Sequence, residues 1–131
     1  MAESNSGRAT FLRRTLLVKW LVTLFAWGLP ALVGPPALFQ MLGVPFPEDP
    51  FFVRLFGAVV TPAALLYWHA WKDPVRNVAV LRFGVLDNGL TAVAILVYAL
   101  TGGTVGWFLW GSALLTAFFS VSFLWTMPRS A

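Results

Sequence analysis

The chain has no cysteine and few charged residues. The lack of cysteine excludes disulfides, thiolate metal sites and thiol redox catalysis. Charged residues make up only 11% of the sequence, against about 25% in soluble domains. Apolar residues reach 59% of the 131 positions, more than a water-soluble protein of this size can bury. We therefore expect the excess apolar surface to face lipid.

The aromatic and basic residues agree with a membrane protein. Seven Trp and twelve Phe are present, and aromatic side chains concentrate at membrane interfaces. The net charge of +4 would suit nucleic acid only if the basic residues formed a stripe on one folded face. They lie instead in short segments between apolar runs. The lipid bilayer is thus the expected partner, and no nucleic-acid binding is predicted.

Four apolar runs are separated by helix breakers, and about 20 residues suffice to cross a hydrocarbon core of about 30 Å. The segment 34–50 contains five prolines and two glycines, so only a short surface helix at 37–42 is expected there. Asp49-Pro50 and Asp73-Pro74 have the pattern of helix N-termini. We predict an all-α, integral membrane four-helix bundle with one domain at 15–127. Its spans are expected at about 15–33, 50–71, 75–100 and 105–127. The remaining segments are a basic N-terminal segment at 1–14, an external loop at 34–49 and a tail at 128–131.

Basic residues are distributed unevenly between alternate segments, which predicts that both termini are cytoplasmic. Arg13-Arg14 loosely resembles a twin-arginine export signal, but three further apolar runs follow it, so we favour a membrane span over a cleaved leader. Lys19 is expected to extend its ammonium to the lipid headgroups. The cytoplasmic side receives Arg8, Arg13, Arg14, Lys19, Lys72, Arg76, Arg82 and Arg129, and the other side receives only Arg54.

Asp87 lies deep inside the predicted third span, about 7–14 Å from its cytoplasmic boundary at the helical rise. An ionised carboxylate there costs about 2.5 kcal/mol or more, so we expect it to face the bundle interior with a partner or to take a proton. As a functional group it would be a proton or cation site or a ligand anchor. As a structural group it would bond Arg, Asn, Ser or Thr and fix helix packing.

Small and polar residues share the helical face of Asp87. Such stripes are typical of close helix–helix contacts in lipid, and they would otherwise line a polar cavity near Asp87, with Asn88 at its edge. The stripes are Gly84, Thr91, Ala94 and Tyr98 in the third span, within about 60° of Asp87; Gly57, Thr61, Ala64 and Trp68 in the second; and Ser112, Thr116 and Ser120 in the fourth.

His69 is the single histidine of the chain. It could pair with Asp87, relay protons or ligate a haem or chlorophyll, but it lacks the second ligand that most metal sites require. We therefore expect it to pack within the aromatic cluster at 67–71. No metal site and no cofactor are predicted.

Arg54 lies one turn into the second span. We expect it to extend outward and to form a weak surface pair with Glu48 or Asp49, with an anionic headgroup or substrate as the alternative partner. Together with Asp87, Asn88 and His69, it makes up the set of candidate binding residues. No complete catalytic motif is present.

The segments GVPFPEDPFFVRLFGAVV at 43–60 and KDPVRNVAVLRFGVLDNGLTAV at 72–93 resemble those of small bacterial four-helix membrane proteins of the DoxX-like type. The shared features are a Pro-rich loop that ends in Asp-Pro, an RLxG helix and a DP turn, over residues 30–100; the loop reads GVP at 43–45 where that group has GLP. The resemblance implies a four-span fold in the bacterial inner membrane, with quinone or thiol redox partners or an accessory role beside membrane enzymes. No catalytic residue of that group can be placed here, and the chain lacks the cysteines of a thiol link.

Three functions fit these observations. We favour a non-enzymatic accessory or structural subunit that associates with a membrane-protein partner or with a second copy. The first alternative is a small oligomeric transporter or channel with Asp87 as its proton or ion site. The second is a binder or enzyme for a lipid-soluble molecule such as a quinone or isoprenoid, which would use Asp87, His69 and the aromatic cluster.

Overall fold

Every regular element within residues 2–128 is a helix, which confirms the all-α part of the predicted fold class. The computed structural model describes the backbone of these residues and the side chains from residue 6 onward, so Arg129 lies outside the described residues. The helices are α1 (Ala2–Val22), a π-helix (Thr23–Gly28) and α2 (Leu29–Val33), which run on from one another, followed by α3 (Pro36–Met41), α4 (Phe51–Lys72), α5 (Val78–Leu100) and α6 (Trp107–Thr126).

Four helical stretches of the described chain are long and apolar enough to cross a membrane. They are Ser6–Val33, Phe51–Lys72, Val78–Leu100 and Trp107–Thr126, named here the first to fourth spans. The helix of the first span extends well beyond its apolar run, since it begins at Ala2 and not near residue 15. Arg8 donates a hydrogen bond to the Trp125 carbonyl, which ties this extension to the end of the fourth span.

The Asp-Pro pairs lie where the second and third spans begin. The Asp49 carboxylate accepts a hydrogen bond from the Phe51 amide at 2.9 Å, and the Asp73 carboxylate accepts one from the Arg76 amide at 3.1 Å. Both contacts satisfy amides that a helix or turn start leaves free. After Asp73 the chain forms a turn before the third span begins at Val78.

The first and second spans approach each other closely at small residues. A Cβ on Gly57 would overlap the backbone of Leu32, and Gly28 at the end of the π-helix meets Thr61 in the same way. In lipid, helices associate largely through such close packing. The first and second spans share the most extensive contact, followed by the third and fourth. The first span also packs against the fourth, whereas the second and third touch only slightly.

Two halves of the bundle differ in packing. The half near the 73–77 turn, called the filled half, has a close-packed core in which the rings of Tyr67, Phe119 and Phe123 stack. The half near the 34–50 loop, called the hollow half, contains a cavity of ≈ 520 Å³. The core of the filled half consists of Leu12, Leu16, Tyr67, Ala70, Leu81, Phe119 and Phe123.

Candidate functional site

A buried lysine lies where the two halves meet. The Lys19 side chain is only 2% exposed, and its ammonium donates a hydrogen bond of 2.7 Å to the Asn88 side-chain oxygen. The expectation that Lys19 reaches the headgroups is therefore wrong. Leu12, Leu16 and Lys19 follow one another at helical spacing on the buried face of α1, so the side chain enters the bundle instead of following the helix surface outward.

Asp87 is the acidic partner of this lysine. Its Oδ2 lies 3.8 Å from Lys19 Nζ and accepts a hydrogen bond of 3.2 Å from the Tyr67 hydroxyl. The Asp87 side chain is 39% exposed, while Lys19 is almost fully covered. The carboxylate is thus the accessible member of an ion pair within the bundle.

Asn88 lies at the centre of the cluster and also lines the cavity. It is 0% exposed, and its amide nitrogen donates to the Gly84 carbonyl at 2.5 Å and to the Tyr67 hydroxyl at 3.5 Å. Its side-chain oxygen accepts from Lys19, so both ends of the amide are used. A buried amide with all its partners costs little, whereas one left unpaired is expensive.

The third-span stripe predicted to form a helix contact is mostly exposed. Gly84 is buried, but Thr91, Ala94 and Tyr98 are not. The reason is that the second span stands away from the third, so the buried face of α5 passes through Leu81, Gly84 and Asn88 instead. In the second and fourth spans, by contrast, Gly57, Ala64, Ser112 and Thr116 are buried as expected.

Aromatic rings surround the lysine ammonium. Lys19 Nζ lies 4.7 Å from the ring centroid of Trp27, 4.9 Å from that of Tyr67 and 5.3 Å from that of Phe119. Ring faces attract a cation, and more strongly when water is excluded. The rings, Asn88 and Asp87 together stabilise a charge that a bilayer interior would otherwise reject.

The cavity extends from this cluster toward the 34–50 loop. Its third-span wall presents Phe83, Asp87, Thr91 and Ile95 at intervals of one turn, and side chains of the second span face them. Other lining residues come from the first span, the fourth span and the loop. The lining side chains that are exposed all belong to the second and third spans: Phe52, Phe56, Val59, Phe83 and Thr91. The mouth of the cavity therefore lies between these two helices, on the apolar outer surface of the bundle.

Two buried hydroxyls add polar groups to the cavity wall. Thr23 is 3% exposed, and its hydroxyl has no hydrogen-bond partner among the described residues. Ser112 accepts a hydrogen bond of 3.1 Å from the Trp27 indole, which leaves its own proton free to donate. Both residues line the cavity, but the Thr23 hydroxyl oxygen is itself enclosed, so only Ser112 could donate to a bound polar group.

The other two candidate residues lie away from the cluster. His69 is exposed on the second span, and no contact with Asp87 is present. Arg54 donates hydrogen bonds to the carbonyls of Ala31 at 3.0 Å and Gly34 at 2.8 Å and does not pair with Glu48 or Asp49. It satisfies carbonyls that the end of the first span leaves free, because the close approach of the two spans brings them within its reach.

No group of three or more His, Asp or Glu side chains within residues 6–128 could hold a metal ion. Comparison with known proteins adds no further assignment. No protein-family model matches the chain, and neither a curated protein nor a solved structure matches it. The resemblance to DoxX-like proteins stays a prediction.

Sequence reasoning identified Asp87 and Asn88 as candidates but missed Lys19, Tyr67 and Thr23. One signal was available, since Leu12, Leu16, Lys19 and Thr23 recur at steps of four, three and four residues, the spacing of one helical face. Because a lysine near the end of an apolar run ordinarily extends outward, this spacing was not taken to indicate a buried Lys19.

Proposed function

We propose that this protein binds a lipid-soluble molecule in the cavity between its second and third spans. The observation that carries the proposal is the shape of the cavity: its exposed rim lies on those two spans, and its inner end holds Lys19, Asp87 and Asn88. Small-molecule sites typically have about 300–1,000 Å³, mostly apolar walls and a few polar groups that fix orientation. The cavity has all three properties.

The depth of the polar cluster restricts the kind of molecule. Asp87 lies nine residues after Val78, where the third span begins, or about 14 Å along the helix axis. This depth is near the middle of a hydrocarbon core of about 30 Å. A phospholipid headgroup stays at the interface, so the occupant would have a small polar group on an apolar body that enters sideways from the bilayer.

Binding of a lipid-soluble molecule was the second alternative function that the sequence suggested. It is also compatible with the accessory subunit that the sequence favoured. A subunit that holds a lipid-soluble molecule can present it to a neighbouring membrane enzyme. The transporter alternative receives less support, because the packed side chains of the filled half separate Asp87 from the end of the bundle near the 73–77 turn. A path for ions would need a second copy.

Native mass spectrometry of the protein in lipid nanodiscs tests the proposal. Val60→Phe places a larger side chain on the cavity wall and so occupies part of the cavity. Val93→Phe makes the same change at an exposed position of the third span outside the cavity. A small molecule should co-purify with the native protein and with Val93→Phe, and it should be lost from Val60→Phe. A native protein without a bound molecule, or full retention by Val60→Phe, would overturn the proposal.

We further propose that both termini and the 73–77 turn are cytoplasmic in a bacterial inner membrane. The charge bias supports the orientation, and the DoxX-like resemblance supports the membrane. The cysteine-free sequence allows a clean test with Pro47→Cys and Arg76→Cys. In spheroplasts an impermeant maleimide should label the first variant, and it should label the second only after lysis. The reverse pattern would contradict the orientation.

A further inference from the structure

The polar cluster at the inner end of the cavity carries no net charge. Lys19 and Asp87 have opposite charges and their atoms are 3.8 Å apart. The lysine is covered by Asn88 and by the rings of Trp27 and Tyr67, so a ligand meets the carboxylate and not the ammonium. The site is therefore negative at its surface but neutral as a whole.

Asp87 has hydrogen-bonding capacity left over. Its Oδ2 accepts from the Tyr67 hydroxyl, and within residues 6–128 no donor reaches Oδ1. A carboxylate accepts several hydrogen bonds, so a donor on the ligand would complete it.

We infer that the molecule bound here carries an uncharged hydroxyl as its polar group, which makes it a lipid alcohol such as an isoprenoid alcohol. The inference rests on the proposed function and specifies its ligand. A hydroxyl donates the proton that Asp87 Oδ1 can accept, and it does so without adding a charge. A ketone or quinone carbonyl offers Asp87 no proton. An ammonium or carboxylate would add an unbalanced charge near the middle of the membrane, which is costly.

Four probes that share one isoprenoid chain separate these cases: farnesol, farnesylamine, farnesoic acid and the hydrocarbon farnesene. Dissociation constants are measured on the full-length protein in nanodiscs of one lipid composition. We expect farnesol to bind about tenfold more tightly than farnesene, because farnesene cannot donate a hydrogen bond to Asp87 and tenfold corresponds to about 1.4 kcal/mol. Farnesylamine and farnesoic acid should also bind about tenfold more weakly than farnesol, because each adds an unbalanced charge to a neutral site.

Two substitutions change the charge balance in opposite directions. Asp87→Asn leaves Lys19 unbalanced and should shift the preference to farnesoic acid. Lys19→Met leaves Asp87 unbalanced and should shift it to farnesylamine. The double variant Lys19→Met/Asp87→Asn is neutral again, and it also serves if a single variant does not fold. It should still prefer farnesol, with about tenfold weaker binding. Arg82→Gln, exposed and outside the cavity, is the matched control and should match the native protein.

The outcomes distinguish this inference from the proposed function. If no probe binds the native protein, the proposed function fails and the inference fails with it. If probes bind but farnesylamine, farnesoic acid or farnesene equals or exceeds farnesol, the cavity is a binding site and the inference about its ligand is wrong. Preference for farnesol that switches as described in the charge variants supports both.

Discussion

The filled and hollow halves of the bundle are built from the same kinds of apolar residue, yet only one of them is packed. In the filled half, Leu81, Phe119 and Phe123 are fully buried. In the hollow half, Phe52 and Phe56 line a cavity and remain exposed. An enclosed void would forfeit dispersion contacts on every side. In the membrane that we propose for this protein, acyl chains can fill a cleft between two spans, so the hollow half need not close.

The two halves also have separate tasks. Lys19, Tyr67 and Asn88 lie between them, where packed rings on one side hold the polar groups that the cavity exposes on the other. We infer that the filled half stabilises the fold and positions the cluster, while the hollow half admits the ligand. The following substitutions test this division, in order of expected effect.

Removing the buried ammonium should have the largest effect. In Lys19→Ala the Asn88 amide and the Asp87 carboxylate lose their partner, and breaking a buried pair in this way costs about 3–5 kcal/mol. We expect the lower end of this range because Asp87 is partly exposed. The measurement is the free energy of unfolding in mixed detergent micelles.

Lys72→Ala is the matched control for this change. Lys72 is exposed and its ammonium lies 4.6 Å from the Trp68 ring centroid, so its loss should cost less than about 1 kcal/mol. Equal destabilisation by the two substitutions would show that Lys19 is not held as the structure indicates.

Larger side chains should destabilise the filled half but not the hollow half. Leu81→Phe places a larger ring in the filled half and should cost about 1–3 kcal/mol through overpacking. Val60→Phe adds a ring to the cavity wall, where space is available, and should leave the melting temperature nearly unchanged. Similar losses from both would mean that the hollow half is closed in the bilayer.

A smaller probe of the filled half is Gly84→Ala. A Cβ at Gly84 would lie 2.9 Å from ring carbons of Phe123, which is fully buried and cannot move aside, so we expect a loss of about 1–2 kcal/mol. Gly111→Ala is its control, since a Cβ there meets no atom within 4 Å. The control should be neutral or gain up to about 1 kcal/mol of helix propensity. Thermal unfolding of both variants in one detergent gives the difference.

The smallest effect is expected where the hollow half meets the loop. Arg54→Gln removes charged hydrogen bonds to the carbonyls of Ala31 and Gly34, and because Arg54 is only half-buried, solvent should replace part of the loss. We expect about 1 kcal/mol, seen as faster hydrogen exchange in peptides covering 29–42. Arg82→Gln should leave that exchange unchanged. Unaltered exchange in Arg54→Gln would show that the first span ends without its help.

Much of the architecture could be predicted because its determinants are local. The length of each apolar run indicates a span, and the proline-rich segment leaves room only for a short helix, found at Pro36–Met41. The small residues of the second and fourth spans mark their buried faces. The third span was harder. Which face of the third span is buried depends on its distance from the second span. That distance cannot be predicted from the residues 78–100 alone.

The sequence by itself determined an all-helical chain with four helices apolar enough for a membrane, because hydropathy and helix breakers act within one segment. Only the tertiary structure decided that Lys19 turns inward, that Asn88 is fully enclosed and that Asp87 faces a cavity. These outcomes depend on side chains from three spans that meet across 69 residues of chain, as in the bond from Lys19 to Asn88. A charged side chain extends to the headgroups or into the bundle interior according to which place offers it partners. The interior partners are brought together only when the helices pack.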